Sequence, residues 1–404
     1  MTERPDPTSS LLLPPGPPVQ ELPREATAVA DLPTAGAVTS HPMSFTGKSG
    51  EYFRIWIVNI ALTVVTLGLY LPWARVRQRQ YFYGHTWLDG QNFEYTASPI
   101  ALLRGYLIVG AFFLAYTLAT NLQFQGWEIV AGVIGVLFVA LYPWLVMKSL
   151  RFLAVSTTHR GLRFRHHGRS GGAYTSYGLA NVAAVLSGGL ALPWAWFMQR
   201  RYQVENAAYG SARATFRGDV GDFYVIGLTG LAVAIGGGVL LGISVLLVFL
   251  GWSLTFGSDV PGWAFGSDVI WSVRWQLAQS SLLVAGVVAL YAALLTFYAV
   301  AWQYVRAATL RLVLNRVEVG GVVRTQATFS PWRLVWIGVS NAVVQVLTLG
   351  LATPWAAVRR TRYVVSGVQV RAIQSLDDFC ADITPEESAL GEAATELLDI
   401  NLGF

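Results

Sequence analysis

Apolar runs of two lengths alternate along this chain. Four long ones, roughly 100–120, 129–148, 223–250 and 279–303, each supply the ~20 apolar residues that a helix rising 1.5 Å per residue needs to cross ~30 Å of hydrocarbon. Three shorter ones, near 52–71, 174–192 and 332–353, each run into a Pro-Trp pair and then arginines. Their ends read "TLGLYLPWARVRQRQYF" (Thr66 to Phe82), "SGGLALPWAWFMQRRY" (Ser187 to Tyr202) and "TLGLATPWAAVRRTRY" (Thr348 to Tyr363). Between the runs lie short alternating stretches with turn residues, such as "TWLDGQNFEY", "HRGLRFRHHG", "AAYGSARATF" and "NRVEVGGVVRTQATF". Asp-Gly and Gly-Gly pairs at their centres predict tight β-hairpins.

The Pro-Trp block has the chemistry of a helix–break–helix. Gly68, Gly189 and Gly350 stand where a helix C-terminus takes up a left-handed residue. Pro72, Pro193 and Pro354 follow four residues later and suit the start of a second helix, where a missing N–H costs nothing. That helix carries Trp73, Trp194 or Trp355, then Tyr81, Tyr202 or Tyr363, residue types that settle at head-group depth. Its arginines (Arg75, Arg77 and Arg79; Arg200 and Arg201; Arg359, Arg360 and Arg362) are candidates for lipid phosphate contact, since arginine snorkels from an apolar face. The block reads as hinge and anchor.

Charge then decides between topologies. If all seven runs crossed, the two sides would carry 15 and 13 Lys/Arg, which is no bias. If only the four long runs cross, Arg274 alone faces outward and 27 of 28 basic residues face the cytoplasm. The expectation is therefore an α-helical polytopic membrane protein. It has four spanning helices, three Pro-Trp re-entrant or interfacial helical segments in an internal repeat, and short cytoplasmic β-hairpins. The alternative is seven spanning helices. The location this implies is the bacterial cytoplasmic (inner) membrane, multi-pass, with both termini cytoplasmic.

Composition agrees with a bilayer: 54% of residues are hydrophobic and 13% charged, against about 25% charged in soluble domains. Residues 1–42 hold nine of the 17 prolines, predict a disordered tail and show no cleavable signal. Residues 373–404 carry eight acids and no Lys or Arg, an acidic cytoplasmic tail. The body between them has 26 basic and ten acidic residues, which suits anionic head groups better than nucleic acid because the arginines hug apolar segments. It divides into a first membrane repeat at 43–158, a second at 159–314 and a third, partial one at 315–372. One cysteine, Cys380, excludes an internal disulfide and a multi-cysteine metal site.

The ordered motif "GEYFxIWxVNxxLTxxTLGxYxPWAxVRxRxY" ending at Tyr81, with "LDGxxFEYxxS" at 88–98, resembles the YjgN-like inner-membrane proteins of bacteria, a family of unknown function. Degenerate copies extend the resemblance over 160–220 and 315–372. The second copy departs most, with "SGG" for "TLG" and no arginine directly after Pro-Trp-Ala. The resemblance implies a location and a topology class; it brings no substrate and no catalytic residue.

No catalytic constellation emerges, and no enzyme activity, cofactor or metal is expected. "GKS" at 47–49 lacks the phosphate-loop glycine, Pro42 standing in its place. His159, His166 and His167 sit among arginines with no carboxylate or cysteine near, which reads as a solvated basic hairpin. Asn59, Asn181 and Asn341 recur 12 or 13 residues before the proline. They form a candidate polar site for a solute, or else satisfy backbone at a helix break. Two functions follow: a transporter- or channel-like protein for a small solute or lipid, suggested by the broken segments, and, as the alternative, a non-catalytic membrane scaffold that binds anionic phospholipid and a cytoplasmic partner. Membrane phospholipid is the partner expected, protein partners are undefined, and a homo-oligomer is compatible with the sequence.

Overall fold

The computed structural model describes residues 39–122, 125–256, 269–321 and 323–372; the side chains of 249, 252–283 and 285 lie outside it. Five units of one plan follow each other, each a strand, a helical hairpin and a strand. The first is β1 (Thr39–Phe45), α1 (Ser49–Val65), α2 (Leu71–Gly84) and β2 (Thr86–Leu88). The second is β3 (Gln91–Tyr95), α3 (Pro99–Leu122), α4 (Trp127–Val155) and β4 (Thr157–His159). In the third, β5 (Leu162–His166) leads into α5 (Ser170–Ala173), a π-helical turn (Tyr174–Leu179) and α6 (Ala180–Leu186), then α7 (Leu192–Glu205) and β6 (Ala207–Tyr209). The fourth holds β7 (Ala212–Phe216), α8 (Val220–Phe256), α9 (Val269–Arg316) and β8 (Val317–Val319). The fifth holds β9 (Val323–Ala327), α10 (Pro331–Leu347), α11 (Thr353–Ser366) and β10 (Val368–Ala372).

The ten strands form one closed antiparallel barrel. β1 joins the two ends of the chain: Thr39–Pro42 pair with β10 and Met43–Phe45 with β2. This corrects the expected α-helical class with separate hairpins. Each hairpin has strands of only three and five residues, too little to stand alone in water. Their outer edges pair with neighbouring hairpins, which removes every edge. Residues 39–42, assigned above to the N-terminal tail, are barrel strand.

Inward and outward positions alternate in register. Phe93 faces His159, and Phe164 faces Tyr209, on the inner side. Met43, Leu88, Val323, Val368 and Val370 are buried in the same core. Rings on neighbouring strands pack within it: Phe93 stacks 4.5 Å from His159, and Phe164 lies tilted 4.9 Å from Tyr209. Each large side chain removed from water contributes about 1.5–3 kcal/mol, so the bore is a packed core. The outer positions are mostly polar, and among them Arg163, Arg213, Arg324 and Arg371 are exposed.

Antiparallel order places the two kinds of connection at opposite rims. One rim carries the tight turns at Asp89-Gly90, Arg160-Gly161, Gly210-Ser211 and Gly320-Gly321, with positive φ at each glycine, together with the ends of the barrel at Thr39 and Ala372. All five helical hairpins leave from the other rim. Those of the second and fourth units contain the four helices long and apolar enough to cross a membrane, Pro99–Leu122, Trp127–Val155, Val220–Val248 and Gly286–Arg316. The other three hairpins return to the rim from which they left, which also overturns the seven-span alternative. Their first helices have 17 residues and their second 14 in the first and fifth units, about 25 and 20 Å at 1.5 Å per residue.

Within the fourth hairpin the glycines make room for close packing. A Cβ built on Gly237 would overlap the Phe297 ring, and one on Gly230 would overlap Val305.

Candidate functional site

The three Pro-Trp hairpins share one construction. The first helix ends in a Schellman turn: Gly68 N–H donates to the Thr63 carbonyl at 2.8 Å, Gly189 to Ala184 at 2.8 Å and Gly350 to Gln345 at 2.7 Å. All three glycines adopt positive φ, between 87° and 94°. The residue before each is also left-handed: Leu67 (φ 50°), Gly188 (φ 61°) and Leu349 (φ 49°). The "SGG" of the middle copy thus places glycine where the other two hold leucine in a strained conformation. The hydroxyls of Thr66, Ser187 and Thr348 then accept from the backbone N–H of Tyr70, Ala191 and Ala352, at 3.0, 2.9 and 3.1 Å, and pin the start of the returning helix. Pro72, Pro193 and Pro354 stand second in that helix and are buried. At the tips, Leu67 and Leu349 are each 94% exposed.

The tyrosines close the other end. Tyr81 hydroxyl accepts from Lys48 N–H at 2.7 Å and donates to its carbonyl at 2.8 Å. Tyr202 donates to the Arg169 carbonyl at 3.2 Å, and Tyr363 accepts from Ser330 N–H at 3.0 Å. Lys48, Arg169 and Ser330 are the N-caps of α1, α5 and α10. Each tyrosine, 33 residues after its cap, latches the hairpin at its base. Of the tryptophans, Trp73 stacks on Tyr70 at 6.0 Å, Trp194 packs beside buried Ala180, Ala184 and Ala195, and Trp355 lies under the Arg359 guanidinium at 5.0 Å.

The asparagines do not meet. Asn59 Nδ2 donates to the Ala74 carbonyl at 3.3 Å, and Asn341 Nδ2 to Ala356 at 3.1 Å, tying the two helices of their own hairpins together. Asn181 Oδ1 accepts from Gln199 Nε2 at 2.8 Å instead. The π-helical turn just before α6 lies between the cap and this asparagine, and Asn181 stands one residue farther from its cap, and one nearer its proline, than Asn59 and Asn341 do.

The arginines divide by environment. Arg79 Nη1 donates to Tyr95 hydroxyl at 2.8 Å, Arg200 Nη1 to Gln203 at 2.7 Å, and Arg201 pairs with Glu205 at 2.9 Å. Arg75, Arg77 and Arg360 are exposed. Arg359 Nη1 donates to Ser340 Oγ and Asn341 Oδ1, both at 2.8 Å, and Arg362 Nη2 to the Gly47 carbonyl at 2.8 Å, which links the fifth hairpin to the first. With Arg333, Trp336, Ile337, Tyr363 and Ser366, these last two line an open cavity of about 400 Å³ at the base of the fifth hairpin. The sequence pattern gave no hint of Arg333, which joins the cluster through folding.

Two of the three histidines differ from the solvated hairpin expected. His159 and His166 are inward strand residues and buried. Burial, then Arg151 and His167, lower His166 to a pKa of about 3, and burial likewise lowers His159. Among the described residues no group of three His, Cys, Asp or Glu side chains is arranged to hold a metal.

Residues 40–397 match a family described as bacterial protein of unknown function (DUF898). The chain belongs to that family. This DUF898 chain is 37% identical over 125 residues to the inner membrane protein YjgN of Salmonella typhimurium, and 32% identical over 127 residues to YjgN of Escherichia coli K12. Each match covers 31% of this chain and 31% of the relative, so under a third of those proteins' length is spanned. No solved structure matches.

Proposed function

We propose that this protein is a multi-pass protein of the bacterial inner membrane whose barrel lies on the cytoplasmic face and whose hairpins hold phospholipid, a non-catalytic lipid-binding scaffold. The observation that carries the reading is the single rim from which all five hairpins leave. With the apolar hairpins in the bilayer, that rim faces the membrane, and the turn rim with both barrel ends faces the aqueous side. The exposed outer arginines of the strands, set toward the turn rim, then lie on the cytoplasmic side, as the positive-inside rule asks. The apolar tips at Leu67 and Leu349 sit in hydrocarbon under the same reading.

Transport of a small solute has less support. Asn59 and Asn341 bond to backbone of their own hairpins, and the bore is filled with Leu, Val and aromatic side chains. Lipid retention tests the scaffold reading. The purified chain should keep phosphatidylglycerol over phosphatidylcholine through detergent exchange; equal retention of both would count against it.

A further inference from the structure

The cavity at the base of the fifth hairpin brings together Arg333, Arg359 and Arg362. None of the three has a carboxylate partner among the described residues: Arg359 and Arg362 donate to neutral oxygens, and Arg333 lies over the Tyr363 ring at 5.6 Å. Three guanidinium groups around one opening, beside apolar surface and without a counter-charge, repel one another until an anion enters. The guanidinium fork matches phosphate oxygens in two-bond geometry.

The tyrosine latch gives a common frame that makes this cluster singular. Three residues after the cap stands Arg333 in the fifth unit, but Glu51 in the first and Gly172 in the third. Four residues before the tyrosine stands Arg359, against Arg77 and Met198. The residue just before it is Arg362, against Gln80 and Arg201. The first hairpin therefore carries its own acid, Glu51, 3.6 Å from Lys48, and Arg201 of the third unit is paired with Glu205. Of the three Pro-Trp hairpins, the fifth alone concentrates cations without acids among the described residues. Trp336, 66% exposed, forms one wall, and Trp332 is exposed beside it. These are residue types of the membrane interface, and Arg333 and Arg362 lie within a turn or so of the barrel rim.

We propose that this cavity binds the phosphate of an anionic phospholipid headgroup, with Arg333, Arg359 and Arg362 on the phosphate oxygens and Trp336 against the glycerol backbone. The site rests on the membrane-embedded reading above and names its ligand.

The test uses the full chain in nanodiscs of phosphatidylcholine doped with phosphatidylglycerol, reading bound lipid by native mass spectrometry. Arg333 makes no hydrogen bond among the described residues, so Arg333→Gln should fold, and an unchanged melting midpoint checks that. Arg333→Gln, alone and with Arg362→Gln, should weaken phosphatidylglycerol binding roughly tenfold or more, while Arg54→Gln, at an exposed cation of α1 in the first hairpin, should change it little. Equal loss in the two hairpins, or wild-type binding by Arg333→Gln, would overturn the site while leaving general anionic-lipid binding intact. Wild-type chain with no preference for phosphatidylglycerol would instead sink the underlying reading, and this site with it. Competition by millimolar glycerol phosphate as strong as that of the lipid would assign the arginines to a soluble phosphate ester and overturn the headgroup proposal.

Discussion

Tyr81 and Lys48 hold the two ends of the first Pro-Trp hairpin together, the tyrosine hydroxyl lying 2.7 Å from the Lys48 nitrogen and 2.8 Å from its carbonyl oxygen. These two bonds are shorter than the 3.0 and 3.4 Å of the Tyr363 pair with Ser330, and Tyr81 is buried, which makes this the strongest of the three latches. Tyr81→Phe should destabilise the protein by about 1–2 kcal/mol, the cost of two lost hydrogen bonds and unpaired backbone at a helix start. Tyr202→Phe, which loses one bond of 3.2 Å, should cost less. Thermal unfolding in detergent orders the two, and the reverse order would refute the latch.

The tip of the middle hairpin isolates a backbone effect. A Cβ on Gly188 would touch nothing within 4 Å, yet its φ is 61°. Gly188→Ala should therefore cost about 1 kcal/mol through conformation alone. Leu67→Gly should recover a similar amount of backbone strain while weakening membrane insertion of the tip. A stabilised Gly188→Ala protein would mean that the turn is not left-handed.

Much of the helical layer was legible because its signals are local. Apolar length marked the four long helices, Gly68 and Pro72 marked the break, and Asp89-Gly90 marked a tight turn. The barrel was not legible, because its closure is non-local: Thr39 pairs with Ala372, 333 residues away, and strands of three residues carry almost no pattern of their own. Tyr81, Tyr202 and Tyr363 were visible as a set, but aromatic belts and latches use the same residue. The constant 33-residue spacing from Lys48, Arg169 and Ser330 was the signal that separates them. Arg333 was hidden for a different reason: it meets Arg359 and Arg362 only when α10 and α11 fold together.

Asn341 and Asn59 should respond unequally to mutation. Asn341 bonds the Ala356 carbonyl and also accepts from Arg359, whereas Asn59 Oδ1 is buried without a partner. Asn341→Ala should cost about 2–3 kcal/mol, since it removes one of two acceptors from a half-buried arginine as well as the donor to a carbonyl, and Asn59→Ala should cost about 1 kcal/mol. Chemical denaturation in mixed micelles would compare them, and equal losses would contradict the assigned roles.

His166 should make the barrel acid-sensitive. Its pKa is about 3 in the fold and about 6.5 in the unfolded chain, so between those values the unfolded state binds the extra proton. Stability is then complete above pH 6.5 and falls as pH drops toward 3, by up to about 1.4 kcal/mol per pH unit from this group. His166→Gln, uncharged throughout, should flatten that slope in melting curves from pH 7 to pH 4. An unchanged slope would assign the acid sensitivity elsewhere.

The single-rim architecture is tested most directly by the sidedness of two barrel turns. In a Cys380→Ser background, Gln91→Cys and Ser211→Cys should both react with a membrane-impermeant maleimide in inverted vesicles and in neither case in spheroplasts. Gln125→Cys, between α3 and α4, should show the opposite. If Gln91→Cys and Ser211→Cys label from opposite sides, the hairpins do not share a rim at the membrane and the account is wrong.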